Sequence, residues 1–201
     1  MIRHTLATAI IATAVVFGHA LSQPSTLGEA PAFSLADSKG ATISLSQFKG
    51  KYVVLEWWNY QCPIVRRHYD SGNMQSLQRQ LTEKGVVWLS INSSAAGKQG
   101  NVDGPRADEV MKSEKGAVSH ILLDHDGKVG RAYGAKTTPQ MVLISPQGEV
   151  LYNGAIDNMP NASREETSKA ENYVLRAYGE AVSGKEVSIK TTRPYGCSVK
   201  Y

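Results

Sequence analysis

The sequence predicts an α/β protein with a central mixed β-sheet that is flanked by helices. Three short runs have the β-branched, aliphatic and aromatic composition of buried strands, and helical segments separate them: residues 52–57, 86–91 and 120–123. A closing hairpin is predicted next, with residues 140–145 and 149–155 as antiparallel partners. Strands that alternate with helices before a closing hairpin are typical of a mixed sheet covered on both faces.

Residues 1–22 predict a secretory signal peptide that is not part of the fold. A short positive region, an apolar run and a small-residue exit follow one another there. The apolar run is too short for a stable bilayer anchor, although an uncleaved anchor is the alternative. We therefore expect an exported protein, periplasmic or secreted, with no stable membrane insertion after cleavage. The mature chain is expected to hold one domain over residues 23–184 and a tail over residues 185–201.

The first part of the domain predicts a β-hairpin that extends the fold at its N-terminal end. Apolar and polar residues alternate over residues 30–51, and Ser38-Lys39-Gly40 supplies the turn. A short helical turn over residues 45–48 and a loop at Gly50 then lead into the first buried strand.

Helix signals fill the segments between the strands. A helix is expected directly after Cys62, with a pause at residues 71–73 and a continuation to Gly85. Pro105 opens another helix, since proline favours the first helical position. A short helix is expected over residues 126–133.

The last helix is predicted from a capping box, Ser163-Arg164-Glu165-Glu166. Apolar residues at helical spacing continue this helix to Gly184, which ends it. The tail has too little apolar periodicity for an element of its own. We expect it to be extended and to carry Cys197.

Charge and cysteine content narrow the classes of function. The formal net charge of +4 is too small and too scattered to indicate a nucleic-acid partner. Only two cysteines occur, Cys62 and Cys197, and an even pair in an exported protein is first interpreted as a possible disulfide. The sequence indicates no cofactor and no metal site.

Cys62 is the candidate nucleophile. It directly precedes Pro63, which makes it the expected N-cap of the following helix. Unpaired backbone N–H groups and the positive end of the helix dipole stabilise a thiolate over a thiol at that position. Arg66, about one turn further on, adds positive charge if it folds back towards the cysteine.

Several stretches carry a family resemblance, over about residues 30–178: the hairpin with SLSQFKGK, the strand that leads to Cys62, LLDHDGKVGRAYGAKTTPQ and MVLISPQGEVLYNG. With these the chain resembles the thioredoxin-fold redoxins, specifically the peroxiredoxin-like branch of the alkyl hydroperoxide reductase/thiol-specific antioxidant superfamily. The resemblance implies a thioredoxin-like fold and redox chemistry at a cysteine.

The resemblance assigns roles to individual residues. Cys62 matches the attacking cysteine of both thioredoxins and peroxiredoxins, but Val65 stands where a thioredoxin has its second cysteine. Glu56 matches the buried acid that takes protons during exchange. Thr138 and Pro139 match the cis-proline position that faces the cysteine and binds an extended substrate backbone.

The peroxiredoxin pattern is matched only in part. Leu55 and Asn59 replace the proline and threonine that precede the peroxide-attacking cysteine, and the later arginine near Pro139 is absent. In a peroxide reductase Arg66 would have to supply the positive charge and Asn59 the hydrogen bond.

Cys197 is expected to act as the resolving cysteine for Cys62, with a permanent structural clamp and a free thiol as alternatives. The tail is long enough to bring it there. The first hypothesis for function is thiol–disulfide exchange with a protein dithiol or disulfide partner. The alternatives are reduction of a small hydroperoxide by the same cysteines, and a non-catalytic binding module with a structural disulfide.

Overall fold

A seven-stranded mixed β-sheet forms the centre of the fold in the computed structural model, which describes residues 26–201. The predicted signal peptide, residues 1–22, lies outside the described residues. The strands of the described part are β1 (Ser34–Asp37), β2 (Thr42–Ser44), β3 (Val53–Trp57), β4 (Val87–Asn92), β5 (His120–Leu123), β6 (Thr137–Thr138), β7 (Gln140–Ile144), β8 (Val150–Gly154) and β9 (Cys197–Ser198). The large sheet has the order β2-β1-β5-β4-β3-β7-β8, and β6 pairs with β9 in a separate small sheet.

The central strand β3 connects the parallel and antiparallel parts of the large sheet. It runs parallel to β4, which in turn is parallel to β5, and it runs antiparallel to β7. All five residues of β3 are buried, as its four apolar residues predict, and the buried set includes the acidic Glu56. The predicted mixed sheet is confirmed.

In the described part of the chain, five α-helices surround the sheet: α1 (Pro63–Asp70), α2 (Asn73–Thr82), α3 (Gly104–Ser113), α4 (Lys128–Ala132) and α5 (Tyr173–Val182). Val54 and Trp58 belong to a core cluster with α1, α2, α3 and α5, whereas Val53, Leu55 and Trp57 face a second cluster with α4 and the N-terminal hairpin. Successive strand residues point to opposite faces, so the core is divided into two layers. Within residues 26–201 no helix is both long and apolar enough to cross a membrane.

The predicted pause between the first two helices is confirmed. Helix α1 ends at Asp70, and α2 begins at Asn73 after Gly72, which has a φ of +75°. Glycine adopts this left-handed conformation without the steric cost that other residues meet. The chain therefore changes direction here while both helices remain packed on the same layer.

The helix predicted from the capping box at Ser163 begins later, so this prediction is wrong. Ser163 and Glu166 do exchange hydrogen bonds, with N···O distances of 2.9 and 3.3 Å. Only a short 3₁₀ turn, Thr167–Lys169, follows them, because Ala170 has an extended backbone with a ψ of 142°. Asn172 then caps α5, its side chain accepting a hydrogen bond from the third helical residue.

The C-terminal tail is extended, as predicted, but it also forms an element of its own. Cys197 and Ser198 constitute β9 and pair antiparallel with Thr138 and Thr137. Further backbone hydrogen bonds hold the tail on the domain, including those from Val199 N to Lys136 O at 3.0 Å and from Ala95 N to Lys200 O at 2.8 Å. The expectation of a tail without an element is wrong because its pairing depends on residues some sixty positions away, which local periodicity does not reveal.

Candidate active site

Cys62 is the N-cap of α1, as the Cys62-Pro63 pair predicts. Its backbone is extended, with φ −76° and ψ 123°, and Pro63 occupies the first helical position. Its N–H donates to the carbonyl oxygen of Asn59 at 3.0 Å, and its own carbonyl accepts the first helical hydrogen bond from Arg66 N at 2.9 Å. Residue Cys62 is fully buried.

The structure brings the two cysteines together. Cys62 Sγ lies 2.8 Å from Cys197 Sγ and 3.1 Å from the carbonyl oxygen of Thr138. The S···S distance is longer than the roughly 2.05 Å of a disulfide bond, and both residues are free thiols here. Residues that are 135 positions apart therefore form a thiol pair that needs little movement to become a disulfide.

The environment shifts the pKa values of the two thiols in opposite directions. Burial opposes ionisation of Cys62, but the hydrogen bond from Cys197, with smaller contributions from Thr138 and the backbone of Val65, holds the pKa of Cys62 below its ordinary value. Burial and the same hydrogen bond to Cys62 raise the pKa of Cys197. The pair therefore favours a thiolate at Cys62 and a proton on Cys197.

Thr138 and Pro139 lie at the pair, and the peptide bond between them is cis, as the resemblance implies. Thr138 belongs to β6, and its register partner in β9 is Cys197. The tail thus occupies the edge at which an extended substrate backbone is expected to bind.

Glu56 is fully buried on β3 and accepts hydrogen bonds from four side chains. The donors are Tyr69 Oη at 3.0 Å, Gln78 Nε2 at 3.3 Å, Trp88 Nε1 at 2.8 Å and Ser90 Oγ at 2.7 Å. Burial raises the pKa of Glu56, and these hydrogen bonds oppose the rise only in part. Within the described chain no hydrogen bond joins Glu56 to either cysteine.

Arg66 and Asn59 have their polar groups engaged with other residues. The Arg66 guanidinium pairs with Glu114 and with Asp70. The Asn59 side chain donates to Gln99 O at 3.3 Å and accepts from Gln61 N at 2.9 Å. Both side chains hold loops and helices around α1, and within residues 26–201 neither makes a hydrogen bond to the Cys62 sulfur.

Tyr195, which the sequence analysis did not single out, anchors the tail beside the thiols. Its hydroxyl donates to Asp157 Oδ1 at 2.5 Å and lies 3.3 Å from His68 Nε2. The Arg67 guanidinium lies 5.6 Å from the centre of the Tyr195 ring. Burial, with the nearby Arg67 charge, lowers the pKa of His68 to about 3, so this imidazole is neutral around pH 7. The sequence feature that could have indicated this anchor is the aromatic residue two positions before Cys197.

Gly196 explains how the tail approaches the cis-proline loop so closely. It has a φ of +130°, and a Cβ built on it would lie 2.0 Å from the carbonyl oxygen of Thr138. Any larger residue would push β9 away from β6 and Cys197 away from Cys62.

A thiol pair that faces a cis-proline at the end of a central strand defines a thioredoxin-like redox protein in its architecture. The chain belongs to the AhpC/TSA family, whose model matches residues 27–153. The predicted membership of this superfamily is confirmed.

Comparison with individual proteins agrees with this assignment. The chain is 29% identical over 123 residues to the thiol-disulfide oxidoreductase ResA of Bacillus subtilis, a match that covers 61% of this chain and 63% of that protein. The chain spans less than two thirds of the length of the first curated relatives that it matches.

Two solved structures show the same fold. A hypothetical protein of Sinorhizobium meliloti 1021 superposes with a TM-score of 0.75 at 21% identity, covering 90% of this chain and 96% of that one. A putative thiol:disulfide interchange protein DsbE of Chlorobium tepidum gives a TM-score of 0.51 at 24% identity, covering 65% and 85%. The predicted thioredoxin-like fold is confirmed.

Proposed function

We propose that this protein is an exported thiol–disulfide oxidoreductase in which Cys62 is the nucleophile and Cys197 the resolving cysteine. The observation that carries the proposal is the 2.8 Å separation of the two sulfur atoms beside the cis-proline loop. The similarity to ResA, which is named a thiol-disulfide oxidoreductase, supports the same reaction class. Export to the periplasm follows from the signal peptide predicted over residues 1–22.

The proposed exchange has two steps. The Cys62 thiolate attacks one sulfur of a substrate disulfide, forms a mixed disulfide and releases the first substrate thiolate. Cys197 then attacks the Cys62 sulfur, which forms the Cys62–Cys197 disulfide and releases the second substrate thiolate. The substrate disulfide is reduced by two electrons while the protein dithiol is oxidised, and the proton of Cys197 passes to a departing substrate thiolate. An external thiol donor would return the electrons.

The order of attack follows from the electrostatics of the pair. While Cys62 is a thiolate, its charge keeps Cys197 protonated. Once Cys62 is part of a neutral mixed disulfide, that charge is gone and the pKa of Cys197 falls. The Cys197 thiol therefore ionises more readily once there is a mixed disulfide for it to attack, although its burial still raises its pKa.

Access to Cys62 requires the tail to move. Cys62 is fully buried under β9, which pairs with β6 through two residues on each strand. In the proposed cycle β9 leaves the β6 edge to admit the substrate and returns for the resolving step. Glu56 would take up or release protons only through intermediate groups, because its hydrogen bonds run to Tyr69, Gln78, Trp88 and Ser90.

The alternative of peroxide reduction has weaker support. It would need Arg66 and Asn59 to polarise the peroxide, and both side chains are engaged with other groups. Reaction of the reduced protein with hydrogen peroxide in a stopped-flow instrument separates the two chemistries. We expect a rate close to that of free cysteine; a rate far above it would favour the peroxidase alternative.

Turnover with a protein disulfide tests the proposal. The wild-type protein, Cys62→Ser, Cys197→Ser and the neighbouring control Ser198→Ala would be compared in the reduction of insulin, with an external dithiol as electron source. We expect loss of turnover in Cys62→Ser, accumulation of a mixed disulfide on Cys62 in Cys197→Ser, and wild-type turnover in Ser198→Ala. Unchanged turnover in Cys62→Ser would contradict the role of Cys62 as the nucleophile, and absence of turnover in the wild type would favour the non-catalytic binding module.

A further inference from the structure

A cavity of about 590 Å³ opens between the tail, the start of α5 and the start of β6. Its wall includes Thr137, directly before Thr138, and Gly196, directly before Cys197. Its size falls in the range of small-molecule sites. The cavity exists only while the tail is seated, because residues 192–196 form one side of it.

The wall of this cavity contains a carboxylate with an unused acceptor. Asp157 is only 3% exposed, and its Oδ1 accepts from Tyr195 Oη at 2.5 Å and from Met159 N at 2.9 Å. Its Oδ2 is buried and has no hydrogen-bond partner in the described chain. Buried polar atoms in folded proteins nearly always have a partner, so a donor group on a ligand would complete this site.

Thr137 provides a second, independent observation. Its Oγ1 is also buried without a hydrogen-bond partner in the described residues, and it lines the same cavity. Two residues on different elements that line one cavity therefore each carry a buried polar atom without a hydrogen-bond partner in the described chain. Both can accept a hydrogen bond, which indicates a ligand with several donors, such as an ammonium group.

The other charged group of the cavity is Arg193. It is exposed, lines the cavity, and forms no ion pair or side-chain hydrogen bond within residues 26–201. A guanidinium binds a carboxylate through two parallel hydrogen bonds. The cavity thus offers a carboxyl group in its wall and a cation without an ion pair in the described chain, the complement of the ammonium and carboxylate groups of an α-amino acid.

We propose that this cavity binds the amino-acid group of a small thiol of the cysteine class, which reduces the Cys62–Cys197 disulfide. The proposal rests on the proposed function, because it requires that disulfide. Cys197 is the partly exposed member of the pair and adjoins the cavity through Gly196, so it is the sulfur that a bound thiol would reach.

The reaction would proceed in two balanced steps. A bound thiolate attacks Cys197, forms a mixed disulfide with it and releases Cys62 as a thiolate. Departure of Cys62 is favoured because the thiol with the lower pKa is the better leaving group. A second small thiolate attacks the mixed disulfide, giving the free disulfide of the small molecule, while Cys197 takes up a proton from water. Two small thiols are oxidised and one protein disulfide is reduced.

A panel of four thiols tests this recognition in the oxidised full-length protein. L-Cysteine carries both charges, cysteamine only the ammonium, 3-mercaptopropionate only the carboxylate, and 2-mercaptoethanol neither. The rate of disulfide reduction by each thiol would be measured for the wild type and the variants and divided by the thiolate concentration. The ratio of the variant rate to the wild-type rate then removes the differences in intrinsic reactivity among the four thiols. Asp157→Asn keeps the Oδ1 acceptor for Tyr195 and removes the charge. Glu83→Gln and Arg79→Gln, both exposed on the α2 surface, are controls with matched charge changes.

The expected pattern differs between the two variants. Asp157→Asn should lower the rates of disulfide reduction by cysteine and cysteamine about tenfold relative to the rate with 2-mercaptoethanol. This factor is the scale of one charge-assisted hydrogen bond. Arg193→Gln should lower the rates of disulfide reduction by cysteine and 3-mercaptopropionate but leave the rate with cysteamine unchanged. Equal changes for all four thiols, or none, would overturn the inference. Failure of the oxidised protein to form the Cys62–Cys197 disulfide at all would instead overturn the proposed function, and mass spectrometry before the thiol panel distinguishes the two.

Discussion

Thr138 and Cys197 face each other in the small sheet of β6 and β9. The Cys62 sulfur lies 3.1 Å from the carbonyl oxygen of Thr138 and 2.8 Å from the sulfur of Cys197. A segment of the chain's own tail therefore occupies the edge beside the cis-proline. It supplies the second thiol that the helix of Cys62 lacks, since Val65 stands one turn along. In the proposed cycle the nucleophile, the resolving thiol and the substrate-binding edge are thus coupled through the position of β9.

The ionisation of Cys62 should depend on Cys197. We expect the first thiolate to form below the ordinary cysteine pKa of about 8.5, and Cys197→Ala to raise that midpoint because it removes the largest contribution that lowers the pKa of Cys62. Ultraviolet absorbance of the thiolate as a function of pH measures both midpoints. Ser198→Ala is the control, and identical titrations of wild type and Cys197→Ala would contradict the assigned cause.

The same shift has a consequence for stability. Because the pKa of Cys62 is lower in the folded than in the unfolded protein, its thiolate stabilises the fold fully above the unfolded pKa. This contribution is lost as the pH falls through the folded pKa. The free energy of unfolding, measured with urea across this pH range, should decrease with falling pH in the wild type, and this loss should be absent in Cys62→Ser.

Gly196→Ala should loosen the tail. The added Cβ meets the Thr138 carbonyl oxygen, so β9 must shift and Cys62 should react faster with a thiol-modifying reagent. Gly184→Ala is the matched control: it also has a positive φ, of +70°, but nothing lies within 4 Å of its Cβ. Both variants carry a backbone cost of roughly 1 kcal/mol. Only Gly196→Ala is expected to expose Cys62, and equal reactivity in the two variants would contradict this account of the tail.

Glu56→Gln should destabilise the fold by roughly 1–3 kcal/mol, because an amide NH₂ replaces one oxygen that faces four donors. The pH dependence has the opposite sign to that of Cys62. Since burial raises the pKa of Glu56, its contribution is fully present below the unfolded pKa and is lost as the pH rises through the folded pKa. The gap between wild type and Glu56→Gln should therefore narrow with rising pH in urea unfolding, whereas the exposed control Glu83→Gln should show no such change.

Local sequence signals predicted the features that depend on neighbouring residues. Cys62 next to Pro63 gave the N-cap, and the glycine at position 72 gave the break between α1 and α2. The buried strands followed from continuous apolar runs. These are properties of a few consecutive residues, and the family resemblance added the cis bond before Pro139.

Features that depend on distant parts of the chain were missed. Arg66 was expected to add positive charge if it folded back towards Cys62, but its guanidinium pairs with Glu114, which is 48 positions away. The strand β9 and the contact of Tyr195 with Asp157 likewise depend on how the tail crosses the finished domain. Short pairings of this kind leave no periodic pattern in the sequence.

The most direct test of the central claim is non-reducing mass spectrometry of the purified protein after treatment with a mild disulfide oxidant. The account predicts the loss of two hydrogens and a single cross-link between the peptides that carry Cys62 and Cys197, reversed completely by a small dithiol. Two thiols that remain alkylatable after the oxidant, or a mixed disulfide on Cys62 that persists with Cys197 intact, would contradict it.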